Sequence, residues 1–117
     1  MKSDSGYIFG GYSKIGYKTN NKKDEYKIDN NCFLFSFNLT KIYPVIYNEE
    51  SITYTNEKYG LSFYASLYFK DNFMNINKNF IGYKIKTIFN GIKDRYEMNG
   101  GKEEFKCKEL EVFQLVK

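Results

Sequence analysis

Carboxylates are the first candidates for chemistry in this sequence. Asp24-Glu25, Glu49-Glu50 and Glu103-Glu104 are adjacent pairs, and Glu109 and Glu111 recur at an interval of two. Two carboxyl groups meeting across a cleft could run acid–base hydrolysis of a glycosidic bond. The adjacent pairs sit among polar residues and read as solvated loop charges. Glu109 and Glu111 differ, because alternation places them on one side of a C-terminal strand. They are candidates for an exposed acidic face that a partner would touch. Other routes to chemistry are closed. The chain has no histidine, so the commonest general base and transition-metal ligand is missing, and neither a Ser-His-Asp nor a Cys-His arrangement can form. No nucleophile elbow, Walker A loop, dinucleotide fingerprint or paired-cysteine motif is present. The expectation is a protein without catalytic residues, cofactor or metal.

Cys32 and Cys107 are the only cysteines. Their separation matches neither a zinc site nor a redox pair, so they are expected to be reduced thiols filling strand positions. Lys106 and Lys108 flank Cys107 but point to the opposite face of a strand, where they do little to activate it. Asn38-Leu39-Thr40 fits a glycosylation acceptor and reads as a chance match, because the N-terminus lacks the apolar run of a secretion signal. The apolar runs are too short to span a bilayer. A cytoplasmic or other intracellular location, without secretion or membrane insertion, is expected.

The sequence has 117 residues, which suits one domain, with 42% hydrophobic and 27% charged residues. Net charge is +4, with 12 Tyr, 11 Phe and no Trp. Basic charge with interleaved aromatics would suit a nucleic-acid surface. However, Lys is spread among 14 acidic residues, and arginine, the residue of bidentate base contacts, occurs only at Arg95. Tyr, Phe, Ile, Asn and Lys share AT-rich codons, which explains their joint abundance. No nucleic-acid partner is expected.

The elements that would carry these residues are strands. Leu61, Phe63, Ala65, Leu67 and Phe69 alternate with Ser62, Tyr64, Ser66, Tyr68 and Lys70, predicting one half-buried strand or two joined at Ala65-Ser66. Ile52 and Tyr54 alternate with Ser51, Thr53 and Thr55. Tyr83, Ile85, Thr87 and Phe89 alternate with Lys84 and Lys86, and Asn90-Gly91 after them predicts a tight hairpin. Cys32 to Phe37 is apolar on both faces and predicts a central strand covered on both sides. The phase of the apolar residues changes between Cys107 and Leu110, which predicts a bulge or break near Glu109. Gly10-Gly11 lies within a strand pattern, where it marks a kink or close backbone approach. Residues 18–31 and 72–79 read as polar loops, and Asn99-Gly100-Gly101 as a chain break. The fold class is all-β, an antiparallel β-sandwich with few or no short helices, in a single domain over residues 1–117.

Four blocks resemble one family. Tyr7-Ile8-Phe9-Gly10-Gly11-Tyr12-Ser13 is similar to the F-G-G-Y-[ST] signature of TLDc domains. Asp29 to Phe37 resembles their D-x-N-A-F-L-F-S-L segment, and Tyr59-Gly60-Leu61-Ser62-Phe63 their G-P-[ST]-F stretch. Phe105 to Phe113 resembles the closing F-x-V-x-E-[IL]-E-V-[FWY]. Tyr17 stands near the place of the family's usual Trp, and Tyr64-Ala65-Ser66 replaces its Gly-rich stretch. The resemblance implies a sandwich of two antiparallel sheets. It also implies a non-catalytic interaction domain linked to oxidative-stress resistance or to binding of the vacuolar proton-pumping ATPase, with Gly10, Gly11, Glu109 and Glu111 as candidate partner-binding residues. The alternative from another class is a small carbohydrate-binding module or a carboxylate-dependent glycosidase. The family's N-terminal helix-and-strand segment has no counterpart here, so a truncated domain is expected. Self-association is expected with it, and Tyr7 to Tyr12 and the faces next to it should be the most exposed elements.

Overall fold

A computed structural model describes residues 1–14, 25–28, 30–46, 52–55, 59–63, 66–70 and 79–111. Among the described residues eleven short strands dominate, and every pairing between them is antiparallel. One layer is a six-stranded sheet of order β10-β9-β8-β7-β6-β3. Its strands are β3 (Glu25–Ile28), β6 (Ile52–Thr55), β7 (Tyr59–Phe63), β8 (Leu67–Lys70), β9 (Asn79–Ile81) and β10 (Glu104–Phe105). The other is a three-stranded sheet of order β2-β4-β5, built from β2 (Phe9–Tyr12), β4 (Phe33–Ser36) and β5 (Lys41–Pro44). A two-stranded ribbon of β1 (Lys2–Ser3) and β11 (Cys107–Glu109) adjoins β2 through a bridge between Lys2 and Ile8.

The core lies between the layers. Phe9, Leu34 and Tyr43 come from the three-stranded sheet, and Phe63, Leu67, Ile81 and Phe105 from the six-stranded one. All belong to one buried cluster. The apolar positions of Cys32–Phe37 and Leu61–Phe69 therefore meet as the alternation requires, and the antiparallel sandwich expected from the sequence is the fold found. The stretch from Leu61 to Lys70 is two strands, β7 and β8, paired through Phe63 and Leu67. The side chains of Leu61, Ala65 and Phe69 lie outside the described residues. Ser62 and Ser66, placed by alternation on the outer face, are both fully buried, so this face of the hairpin is also covered.

Several expectations need correction. Tyr83 to Phe89 is not a strand: Ile85–Ile88 forms a short helix, α1. Ile85, Ile88 and Phe89 are buried, while Tyr83 is 66% exposed and Thr87 is exposed. The same residues satisfy spacings of three and four, and packing on the helical face wins over alternation. Asn90-Gly91 is a turn, with Gly91 at φ +95°, but it joins no hairpin. Instead Phe89 bridges Val45, and Asn90 N–H donates to the Pro44 carbonyl at 2.9 Å. This clips the segment onto the edge of β5.

Residues 18–31 do not form an uninterrupted loop. Glu25–Ile28 is an edge strand paired with β6; residues 18–24 lie outside the described residues. Its charges are what an edge strand tolerates, and they masked the alternation of Tyr26 and Ile28. Asn79 is likewise not loop but the buried first residue of β9, and residues 72–78 lie outside the described residues. β4 is central in its sheet, but among the described residues only one of its faces is fully covered. Leu34 and Ser36 are buried, Phe33 and Phe35 are half-buried, and Phe37 is 72% exposed. The C-terminal phase change falls at an irregularity of the ribbon, entered after the chain leaves the large sheet. The chain passes from the large sheet at Phe105 to the ribbon at Cys107, and the register slips between Lys2 and Ser3 opposite Cys107 to Glu109. Residues 112–117 lie outside the described residues.

Tyr7 to Tyr12 is not the most exposed element. Phe9 is fully buried, Gly10 is buried and Phe9 N–H donates to the Met1 carbonyl. The N-terminal residues fold back along β2 and cover it at this point.

Candidate functional site

β2, β4 and β5 position a continuous outer surface. Directly opposed residues of an antiparallel pair share a face. The registers Gly11↔Leu34↔Tyr43 and Phe9↔Ser36↔Lys41 define the face turned to the core. Gly10↔Phe35↔Ile42 and Tyr12↔Phe33↔Pro44 define the opposite face. None of these six outer residues is charged. Ile42 is 67% exposed, Pro44 is exposed, and the Tyr12 and Phe33 rings stack at 5.0 Å. Phe37 and Ile46 extend the apolar surface beyond the strand ends. Water-facing sheet surfaces are normally polar on alternate positions, and this outer face departs from that pattern.

Gly10 and Gly11 make this geometry possible. A Cβ on Gly10 would lie 3.0 Å from the Phe35 ring, and one on Gly11 2.4 Å from Phe63 and 2.9 Å from Leu34. Gly10 lets the Phe35 ring lie flat on the outer face. Gly11 lets the two sheets approach. The close approach expected at Gly10-Gly11 is thus present on both sides of β2. Glu109 is exposed and lies opposite Lys2 on β1, and Glu111 is exposed just beyond β11. The four candidate residues are thus spread across adjacent strands, with β1 between the glycines and the acids. The apolar residues Tyr12, Phe33, Phe35, Phe37, Ile42 and Pro44 were not singled out from the sequence. The signal was the double-faced apolarity of Cys32 to Phe37, half of which the core does not use.

The most engaged carboxylate among the described residues was also missed. Glu97 begins a 3-10 turn over Glu97–Asn99. Its Oε2 accepts from Tyr43 Oη at 2.7 Å and Lys41 Nζ at 3.4 Å, while Oε1 accepts from the backbone N–H groups of Lys93 at 2.7 Å and Asp94 at 2.9 Å. Burial alone would raise its pKa, but these bonds outweigh burial and hold it below the ordinary value. Tyr43 is pushed in the opposite direction, first by burial and then by the neighbouring carboxylate. Glu97 thus ties β5 to the 93–97 loop. Of the adjacent acidic pairs, Glu103 and Glu104 are exposed; Asp24, Glu49 and Glu50 lie outside the described residues.

Cys32 and Cys107 are buried thiols outside any disulfide, as expected from the sequence. Burial pushes the Cys107 thiol pKa up, outweighing the nearby N-terminal ammonium. The thiol donates to the Glu109 carbonyl at 3.5 Å. Asn38 is engaged as well, its Oδ1 accepting from Ile8 N–H at 2.6 Å. No helix among the described residues is long and apolar enough to cross a membrane.

The four blocks, the two-layer antiparallel fold and the glycine pair at the sheet contact point to one family, and a family model described as TLDc domain matches residues 1–116. The chain belongs to the TLDc domain family. No curated protein and no solved structure gives a significant match.

Proposed function

We propose that this TLDc domain is a non-catalytic protein-interaction domain acting inside the cell. Its role is in oxidative-stress resistance, through binding of the vacuolar proton-pumping ATPase. The observation that carries the reading is the uncharged outer face of β2, β4 and β5, where Phe37 and Ile42 are 72% and 67% exposed. A protein partner would bury such a surface. Family membership supports the choice of partner. Glu109 and Glu111 supply an acidic margin one ribbon away from β2, suited to orienting a basic partner surface.

The test is co-sedimentation of the purified chain with membranes carrying the proton pump, beside membranes stripped of it. Pump-dependent binding that weakens in a Glu111→Lys variant is expected. Equal recovery with both membranes would contradict the choice of partner. Turnover of glycoside substrates lost on replacing a carboxylate would contradict the non-catalytic reading.

A further inference from the structure

Two Asn-Gly dipeptides occur in the chain, Asn90-Gly91 and Asn99-Gly100, and the structure treats them in opposite ways. Asn-Gly is the sequence most open to backbone attack on a side-chain amide, because glycine puts no side chain in the way of its own nitrogen. Attack needs a free amide carbon, a free glycine nitrogen and backbone freedom to bring them together.

Asn99 has none of these. It is fully buried. Its Oδ1 accepts from the hydroxyls of Ser3 and Ser5, both at 2.7 Å, and its Nδ2 donates to the carbonyls of Lys102 at 3.0 Å and Glu104 at 3.4 Å. The attacking nitrogen is occupied too, since Gly100 N–H donates to the Glu97 carbonyl at 3.3 Å. Asn90 differs in its side-chain amide and in the glycine nitrogen that follows. Asn90 and Gly91 are both exposed. The Asn90 side chain and the Gly91 N–H make no hydrogen bond with any described residue. Gly91 sits at φ +95°, in a region that glycine occupies and leaves readily.

We propose that Asn90 is a site of spontaneous covalent modification, deamidating through attack of the Gly91 nitrogen, and that the fold shields Asn99 from the same reaction. In the step, a bond forms between Gly91 N and Asn90 Cγ, and the Cγ–Nδ2 bond breaks. The side-chain nitrogen leaves as ammonia, carrying the proton lost from Gly91. Water then opens the cyclic imide at either carbonyl, leaving aspartate or isoaspartate at position 90. No oxidant or reductant takes part. The product carries a new negative charge in the turn that clips onto β5 through Asn90 N–H and the Pro44 carbonyl. The isoaspartyl form adds a backbone carbon there and disturbs that clip.

The test incubates the full chain at mildly alkaline pH, folded and in urea. Peptide mapping by mass spectrometry then follows both sites, with an isoaspartyl methyltransferase as label for the rearranged product. In the folded protein Asn90 should convert at least roughly tenfold faster than Asn99, which reacts only after local opening of its hydrogen bonds. In urea the two rates should converge. The Asn90→Gln variant should lose the folded-state label. Conversion of Asn99 at the pace of Asn90 in the folded chain would overturn the proposal. So would an unmodified Asn90, or a label that persists in Asn90→Gln.

Discussion

Glu97 concentrates the polar energetics of the described structure in one side chain. It accepts four hydrogen bonds, one of them from a buried tyrosine hydroxyl. Bonds to a charged acceptor are each worth about 1.5–3 kcal/mol, and an orphaned buried donor costs further free energy. Glu97→Ala should therefore lower unfolding stability by roughly 2–4 kcal/mol, measured by urea denaturation near neutral pH. Because the folded-state pKa is depressed, this contribution is complete above the unfolded value of a glutamate. It is lost as pH falls through the lower folded value. The wild type should thus lose stability on acidification in that window, and Glu97→Gln should flatten this part of the profile. The cysteines behave as buried apolar groups. Native Cys32 and Cys107 should alkylate slowly, Cys107 the more so because its raised pKa leaves little thiolate at neutral pH. Mass measurement of protein alkylated without reductant should show no disulfide. The burial of the thiols comes from packing across the fold, and the Glu97 node joins the nearby Lys93 and Asp94 backbone to Lys41 and Tyr43 of β5. The thiols were legible because isolated cysteines usually pack as small apolar groups. Glu97 was not, because its partners Lys41 and Tyr43 lie more than fifty positions away.

At the scale of elements, strands were legible where alternation was long and clean, as in β6, β7 and β8. They were lost where the strand was short and charged, as in β3, and misread where two periods fit the same residues, as in α1. The Tyr83 to Phe89 segment shows why. Its apolar residues satisfy a spacing of two and also of three to four, and only burial of Ile85, Ile88 and Phe89 against the core decides between them. β2 offers the sharpest element-level prediction. Gly11 was readable as a close-approach position, but the partner across the gap was not, because Phe63 belongs to the other sheet. A methyl group there would collide with the Phe63 ring and with Leu34. Overpacking of this kind costs about 1–3 kcal/mol. Gly11→Ala should lower the melting temperature. Gly11→Ala combined with Phe63→Leu should recover part of the loss. No recovery in the double variant would show that the sheets are not apposed at this point.

For the whole molecule, the sequence disclosed the class and the facing of the layers, and the residue blocks disclosed the family. Leu34 lies at the centre, fully buried and sharing the inner face with Gly11 and Tyr43. Leu34→Ala should cost about 2–5 kcal/mol; a change of a few tenths in chemical denaturation would remove it from the core. The outer surface of the same sheet was not legible, because an apolar run on a central strand is normally read as a strand buried twice. Here one side is buried in the core, while on the other Phe37 and Ile42 stay largely exposed among the described residues. The most direct test is quantitative affinity purification of the tagged chain beside a Phe37→Asp/Ile42→Asp variant, with melting temperatures as the control for folding. Both side chains are largely exposed, so the variant should melt within a few degrees of the wild type. It should also lose at least about tenfold of the co-purifying partner, the factor that corresponds to 1.4 kcal/mol of binding free energy. Undiminished partner recovery by a folded variant would contradict the assignment of this face as the interaction surface.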